Sequence, residues 1–328
     1  MIELEAMFVD EIEVVNLTKD YGHGRGVFDV SFSVKKGEAF GFLGPNGAGK
    51  STTIRHIMGF SKPQKGETRI CGMESFSSYD KIMGKVGYLP GEIALPEGLT
   101  GTEFLNMMAE LRGGADNARV DMLLKTFDLD PKLQTKSMSL GDKRKLAIVA
   151  AFMNDPEVLI LDEPTSGLDP VMQQVFVDLI KQEKKRGKTI LLSSHIFNEV
   201  EQTCDRISII KDGFIVSTFE TNSIRHNENK QFELFFKNKS DFDRFAKSLP
   251  RVRLVKGNIS RAGIKSLHPK ELKIVLAIKD KDANKLTELL SGYDLKSFQQ
   301  VQFTLEDYFM QFYKEEKDFG GVQWKKKK

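Results

Sequence analysis

The sequence is poor in the features that mark several classes of protein. Its 328 residues include two cysteines, Cys71 and Cys204, which have the spacing of neither a metal site nor a disulfide framework. No window approaches the roughly 18 consecutive apolar residues that a bilayer span needs, so we expect no membrane-spanning helix. The net charge of +3 is too small to make nucleic acid an expected partner. The acidic residues 1–5 lack the layout of a signal peptide, which favours a cytoplasmic location.

A phosphate-binding loop is the strongest positive signal in the chain. Residues 44–51 fit the pattern of Gly, four residues, then Gly-Lys-Ser/Thr, between an apolar strand at 39–43 and a helix at 52–58. Glycines allow several backbone N–H groups to approach a phosphate, and the helix N-terminus adds partial positive charge. We expect Lys50 to reach the β- and γ-phosphates and Ser51 to bind Mg²⁺. The loop therefore predicts binding of a nucleoside triphosphate.

A second motif consists of an apolar strand that ends in two carboxylates. Residues 158–161 are Val-Leu-Ile-Leu, and Asp162 and Glu163 follow at once. Alone, this pattern describes a surface loop about as often as a site. Together with the phosphate loop it predicts that Asp162 lies on the Mg²⁺ side of the γ-phosphate and that Glu163 polarises the attacking water.

Three further segments indicate which class of nucleotide-binding protein this chain resembles. Residues 164–169 are Pro-Thr-Ser-Gly-Leu-Asp, residues 138–145 are Met-Ser-Leu-Gly-Asp-Lys-Arg-Lys, and residues 192–195 are Leu-Ser-Ser-His. In this order, with the phosphate loop, they resemble the nucleotide-binding subunit of an ATP-binding cassette (ABC) transporter. The resemblance covers about residues 13–215, and the helical segment is similar to that of drug and antimicrobial-peptide exporters.

The resemblance implies a set of ATP and Mg²⁺ contacts within one subunit. It implies ATP contacts from an adenine-stacking aromatic and the whole phosphate loop: Tyr21, Gly44, Pro45, Asn46, Gly47, Ala48, Gly49, Lys50, Ser51 and Thr52. Asp162 and Ser51 match the Mg²⁺ ligands. Glu163 matches the general base, His195 the switch histidine near the γ-phosphate, and Lys50 completes the catalytic set.

The resemblance also implies a dimer in which each ATP site is built from two subunits. Ser139 and Gly141 lie in the signature segment that binds the γ-phosphate of the partner's ATP, and Asp169 matches the aspartate that reaches across the dimer. We expect the signature helix to start at Lys143, with its N-terminus facing that phosphate. The second ATPase subunit is either an identical copy or a paralogue.

The chain departs from the family pattern at two places. Gly91 follows Tyr-Leu-Pro where the family usually has a glutamine that contacts Mg²⁺ and water and senses the membrane partner. In the signature segment, Leu140 and Asp142 stand where Gly and Gln are commonest. With Glu163 and His195 both present, ATP hydrolysis is still expected.

The expected fold class is α/β: a P-loop NTPase core with an antiparallel β subdomain and an inserted helical subdomain, plus a small α+β C-terminal domain. The core is expected over 12–220, with the helical insert at about 95–153 and with Thr102 and Asp116 as helix N-caps. Residues 221–315 read as a ferredoxin-like module in the order β-α-β-β-α-β, including a strand near 252–255 and a last helix at 305–313. This module is either a packing appendage or a regulatory element. We expect residues 316–328 to form a basic, disordered tail.

These expectations combine into one function. We expect an ATP-hydrolysing subunit, peripheral on the cytoplasmic face of the cell membrane, that powers export through a separate integral-membrane permease. Residues 91–102 and the helical insert are the expected docking face for that permease. The alternative is a soluble ABC regulatory ATPase or nucleotide-binding module that is not coupled to transport.

Overall fold

The computed structural model describes residues 10–225, 229–248, 264–279 and 283–301, together with residues 305, 306, 308 and 309. The chain forms two compact units, and the boundary between them lies between Thr221 and Asn222. The predicted strand near 252–255, the predicted tail at 316–328 and most of the predicted helix at 305–313 lie outside the described residues.

A six-stranded sheet forms the centre of the first unit. Its strands are β3 (Ala39–Leu43), β6 (Val86–Leu89), β7 (Val158–Asp162), β8 (Thr189–Ser194), β9 (Arg206–Lys211) and β10 (Phe214–Glu220). They lie in the order β10-β9-β3-β8-β7-β6, and all neighbours are parallel except β9 and β10. Every residue of β3, β7 and β8 is buried, which explains their continuous apolar runs.

An antiparallel sheet lies against the central one. It contains β1 (Asp10–Gly22), β2 (Arg25–Lys35), β4 (Lys65–Ile70) and β5 (Met73–Glu74), in the order β2-β1-β4-β5. Phe32 of β2 stacks on Phe40 and Phe42 of β3, with ring centroids 5.1 Å apart in both pairs. These aromatic contacts join the two sheets in one core.

The described part of this unit also contains seven α-helices: α1 (Lys50–Ile57), α2 (Tyr79–Met83), α3 (Gly101–Glu110), α4 (Asn117–Thr126), α5 (Leu140–Phe152), α6 (Pro170–Lys185) and α7 (Phe197–Thr203). A short helix, α8 (Thr221–Arg225), begins at the last residue of this unit and continues into the second. Helices α3, α4 and α5 are inserted between β6 and β7. Asp116 caps α4 as predicted, since its carboxylate accepts from the N–H groups of Ala118 and Arg119.

Two predicted helix starts are wrong. Helix α3 is capped by Thr100, not by Thr102, because Thr100 forms a reciprocal capping box with Glu103. Helix α5 begins at Leu140, three residues before the predicted Lys143, because the hydroxyl of Ser139 accepts a hydrogen bond from the N–H of Asp142. The second correction makes Ser139 the N-cap of the signature helix.

After α8, the described residues of the second unit form an antiparallel sheet and two helices. Its elements are β11 (Asn229–Phe236), α9 (Lys239–Ser248), β12 (Ile264–His268), β13 (Lys273–Lys279), α10 (Ala283–Leu290) and β14 (Leu295–Val301). The strand order is β12-β13-β11-β14, and every neighbouring pair is antiparallel. Phe236, Phe242, Phe245 and Tyr293 pack together at its centre. Along the chain, the described elements follow the order β-α-β-β-α-β.

Candidate active site

The phosphate loop connects β3 to α1 at the carboxyl edge of the central sheet. Gly47 and Gly49 have positive φ angles of 81° and 111°, which side chains with a Cβ rarely adopt. A Cβ at Gly49 would lie 2.7 Å from Val27 Cγ1, and one at Gly44 would lie 2.5 Å from the carbonyl oxygen of Ile210. Both conformation and packing therefore require glycine in this loop.

Lys50 is the first residue of α1, and its side chain turns back onto the loop. Its Nζ donates to the carbonyl oxygens of Gly44, at 2.6 Å, and Pro45, at 3.1 Å. The same Nζ lies 2.9 Å from Glu163 Oε1. Only 5% of Lys50 is exposed, so the loop encloses a buried positive charge. Of the remaining loop residues, Asn46, Gly47 and Ser51 are exposed, whereas Gly44 and Ala48 are buried and Pro45 and Thr52 are half-buried.

The two carboxylates at the end of β7 have different surroundings. Asp162 is buried, and its Oδ1 accepts a hydrogen bond from Ser193 Oγ of β8. Glu163 has a φ angle of 47° and donates its N–H to the carbonyl oxygen of Ser193 at 3.1 Å. This left-handed conformation is uncommon for a residue with a side chain, and it directs the chain away from the sheet.

His195 lies on the other side of Glu163. Its Nδ1 is 2.6 Å from Glu163 Oε2, and its side chain is 46% exposed. The two oxygens of one carboxylate thus contact Lys50 and His195. The structure therefore brings together all three predicted catalytic residues.

The residues predicted to bind Mg²⁺ supply two kinds of oxygen ligand. Ser51 presents an exposed hydroxyl in the first turn of α1, and Asp162 has a second oxygen, Oδ2, that faces Gly91. No group of three or more His, Cys, Asp or Glu side chains in the described part of the chain could hold a metal. The donor set fits Mg²⁺, which takes few protein ligands and completes its shell with phosphate oxygens and water.

Tyr21 lies near the end of β1, and its side chain is 56% exposed. Lys19 Nζ lies 5.7 Å from the centroid of its ring. An exposed aromatic face of this kind can accept a stacked base.

Ser139, Gly141 and Asp169 belong to a second group of residues. Ser139 Oγ donates to Asp142 Oδ2 at 2.7 Å, and Asp169 caps α6 through the N–H groups of Val171 and Met172. A Cβ at Gly141 would lie 3.3 Å from the carbonyl oxygen of Gly167, so the signature segment packs on the turn before α6. Among the described residues, no hydrogen bond or ion pair joins this group to the phosphate loop.

Two side chains near the site were missed from the sequence. Arg144 is buried and donates to the carbonyl oxygens of Pro90, Gly91 and Ser166. Because it lies between two lysines in the sequence, it looks like part of an exposed basic segment. The available signal was its spacing of four residues from the buried Ile148, which places both side chains on the inner face of α5.

The second missed residue, Glu199, supports the turn that carries His195. Its Oε2 accepts a hydrogen bond from Ser194 Oγ at 2.6 Å, and Ser194 Oγ accepts from the N–H of Ile196 at 2.9 Å. Burial raises the pKa of Glu199 to about 7, and the neighbouring Glu163 adds to this effect. No local motif marks a buried acid of this kind.

In the described part of the chain, no helix is both long enough and apolar enough to cross a membrane.

Comparison with known proteins places the chain among ATP-binding proteins of transporters. Residues 27–166 match the family model described as ABC transporter. YcbN of Bacillus subtilis (strain 168), an uncharacterized ABC transporter ATP-binding protein, is 31% identical over 305 residues, which cover 91% of this chain and 95% of YcbN. The bacitracin transport ATP-binding protein BcrA of Enterococcus faecalis is 35% identical, covering 68% of this chain and 73% of BcrA. The Nod factor export ATP-binding protein I of Burkholderia orbicola (strain AU 1054) is 39% identical, covering 63% of this chain and 70% of that protein.

A solved structure extends the similarity to the fold. The dimeric structure of a post-hydrolysis state of the ATP-binding cassette MJ0796, bound to ADP and Pi, is 26% identical and superposes with a TM-score of 0.58. It covers 64% of this chain and 98% of that one. The similarity confirms the predicted fold class, and the relatives favour the transporter interpretation over a module uncoupled from transport. The chain belongs to the ABC transporter family, as an ATP-binding subunit with ATPase activity.

Proposed function

We propose that this chain hydrolyses ATP through Lys50, Glu163 and His195 and thereby powers export through a separate integral-membrane permease. The observation that carries the proposal is the position of Glu163, whose two carboxylate oxygens contact Lys50 Nζ at 2.9 Å and His195 Nδ1 at 2.6 Å. A carboxylate held between a cation and an imidazole is oriented to accept a proton from water.

The phosphate loop binds the triphosphate of ATP. Backbone N–H groups of residues 46–52 and the N-terminus of α1 surround the phosphates, and Lys50 exchanges its contacts with Glu163 and the loop carbonyls for phosphate oxygens. Glu163 then orients the attacking water and accepts its proton. His195 acts as the switch histidine beside the γ-phosphate. The exposed ring of Tyr21 stacks on the adenine.

Ser51 and Asp162 would hold Mg²⁺, which would neutralise charge on the triphosphate. The hydrogen bond from Ser193 occupies Asp162 Oδ1 and keeps the carboxylate in a fixed orientation. This orientation leaves Oδ2 as the oxygen for the cation.

The active form is a dimer with a second ATPase subunit, either an identical copy or a paralogue. Ser139 and Gly141, at the N-terminus of α5, bind the γ-phosphate of the ATP held by the partner, and Asp169 contacts the partner across the interface. Support comes from the dimeric form of the MJ0796 cassette, which resembles this chain.

The permease is a separate integral-membrane protein, and the chain is peripheral on the cytoplasmic face of the membrane. Residues 91–102 and the helical insert form the docking face. Support comes from the relatives named for bacitracin transport and Nod factor export.

Isolation of the tagged chain from detergent-solubilised membranes of its own host tests the transport part of the proposal. We expect a polypeptide with several apolar spans to be retained with it. Glu92→Arg, an exposed change in the docking face, should release that polypeptide, whereas Glu157→Arg, at the opposite edge of the sheet, should retain it. Recovery of the chain without any membrane polypeptide would contradict the proposal.

A further inference from the structure

Arg144 is a buried guanidinium that holds two different turns at once. Its Nη1 and Nη2 donate to the carbonyl oxygens of Pro90, at 3.0 Å, and Gly91, at 2.7 Å. Its Nε donates to the carbonyl oxygen of Ser166 at 3.0 Å. Only 3% of the residue is exposed, so these contacts replace those that water would make.

One turn contacts the side chain of Asp162 and the other contacts the backbone of Glu163. A Cβ at Gly91 would lie 3.0 Å from Asp162 Oδ2, so the turn after β6 is packed on the Asp162 side chain. The N–H of Ser166 donates to the carbonyl oxygen of Glu163 at 3.2 Å. Arg144 therefore connects helix α5 to Asp162 through Gly91, and to Glu163 through Ser166.

The charge of Arg144 also acts on this site. None of its three hydrogen bonds goes to a carboxylate, so its positive charge is not neutralised by a contact ion pair. Burial lowers the pKa of Arg144, whereas the negative charges of Asp162 and Glu163 act in the opposite direction. Arg144 therefore places a buried positive charge close to both carboxylates.

We infer that Arg144 is a positioning residue for ATP hydrolysis, which fixes the turns after β6 and β7 to helix α5 and so sets the placement of Glu163. This inference rests on the proposed role of Glu163 as the base. It makes the geometry of the base depend on the position of the helical insert, since α5 carries both Arg144 and the Ser139 cap.

Arg119 provides a matched control. It is similarly buried, at 8% exposure, and it also ties the helical insert to the rest of the unit. Its Nε donates to the carbonyl oxygen of Phe152 at 2.7 Å, and its Nη2 pairs with Glu183 at 2.8 Å. These partners lie in α5 and α6, away from the turns after β6 and β7.

The test compares Arg144→Gln, Arg144→Lys and Arg119→Gln in the full chain by kcat, KM, Tm and the Kd of a fluorescent ATP analogue. We expect Arg144→Gln to lower kcat by at least about tenfold while the Kd changes by less than about threefold. Arg144→Lys keeps the charge and part of the bonding, so its kcat should be intermediate. Arg119→Gln should lower Tm and leave kcat within about twofold of the parent.

Two results would overturn the inference. One is a kcat for Arg144→Gln that equals the parent value, with a loss of Tm like that of Arg119→Gln, which would make Arg144 a packing residue. The other is an equal loss of kcat and of analogue binding, which would place its role in nucleotide binding. If Arg144→Gln does not fold, the kcat of Arg144→Lys decides, and a parental value overturns the inference. A parent chain without ATPase activity would instead contradict the proposed function.

Discussion

Lys50 Nζ lies 2.9 Å from Glu163 Oε1, so the lysine of the phosphate loop and the carboxylate after β7 form an ion pair in which both side chains are largely buried. In the proposed mechanism, phosphate oxygens compete with this carboxylate for Lys50. ATP binding then frees one oxygen of Glu163 for water while His195 retains the other. Through this ion pair, nucleotide binding makes an oxygen of Glu163 available to accept a proton from water.

Lys50→Ala should weaken ATP binding by at least about tenfold, because charge-assisted hydrogen bonds contribute roughly 1.5–3 kcal/mol each. Isothermal calorimetry with ATP and Mg²⁺ measures the change. Lys188→Ala is the control, since Lys188 pairs with Asp155 at 3.0 Å outside the site. An unchanged Kd for Lys50→Ala would reject the role of the loop lysine.

Ser139→Ala should cost about 1 kcal/mol of stability through the lost N-cap, and also lower the ATPase rate of the dimer. Asp116→Ala removes a comparable cap, on α4, and should lower only Tm. For a unit of this size the loss corresponds to a Tm shift of roughly 2–4 °C in each variant. Equal ATPase rates in the two variants would argue against a nucleotide contact at Ser139.

Glu199 should make stability depend on pH. Its pKa in the folded state is raised from 4.5 to about 7, so the folded chain binds this proton more tightly than the unfolded chain. The stabilisation is complete below about pH 4.5 and is lost as pH rises to about 7. Glu199→Gln cannot titrate at this position, so the parent should lose stability relative to this variant between pH 5 and pH 8. The expected loss in the free energy of unfolding is on the order of 3 kcal/mol, and the Tm of the variant should rise relative to that of the parent over this range. Parallel Tm profiles for the two proteins would contradict this account.

The boundary after Thr221 predicts that residues 1–221 bind ATP without the second unit. We expect the Kd of the truncated chain to lie within about threefold of the parent value, because the phosphate loop and the described hydrogen bonds of Lys50 lie in the first unit. Assembly or ATPase regulation should change. Loss of ATP binding would show that the domain boundary is misplaced.

The sequence was most informative where the chemistry depends on adjacent residues. The loop around Lys50 and the strand before Asp162 are contiguous, and each restricts residue type strongly enough to be recognised. Contacts between segments that are distant in the sequence produce no contiguous motif that could be recognised. Arg144 meets Pro90 and Gly91 across more than fifty positions of sequence, and its burial follows from the packing of α5. Strands β4 and β5 were also missed, because their short, mixed sequences form strands only by pairing, β4 with β1 and β5 with β4.

ATP turnover by Glu163→Gln is the most direct measurement, made beside the ATP affinity of the same protein. Glutamine keeps the shape of the side chain but cannot accept the proton from water, so kcat should fall by at least about a hundredfold. ATP affinity should be maintained or improved, because Lys50 loses its competing carboxylate. Turnover at the parental rate, with ATP bound normally, would contradict the assignment of Glu163 as the base.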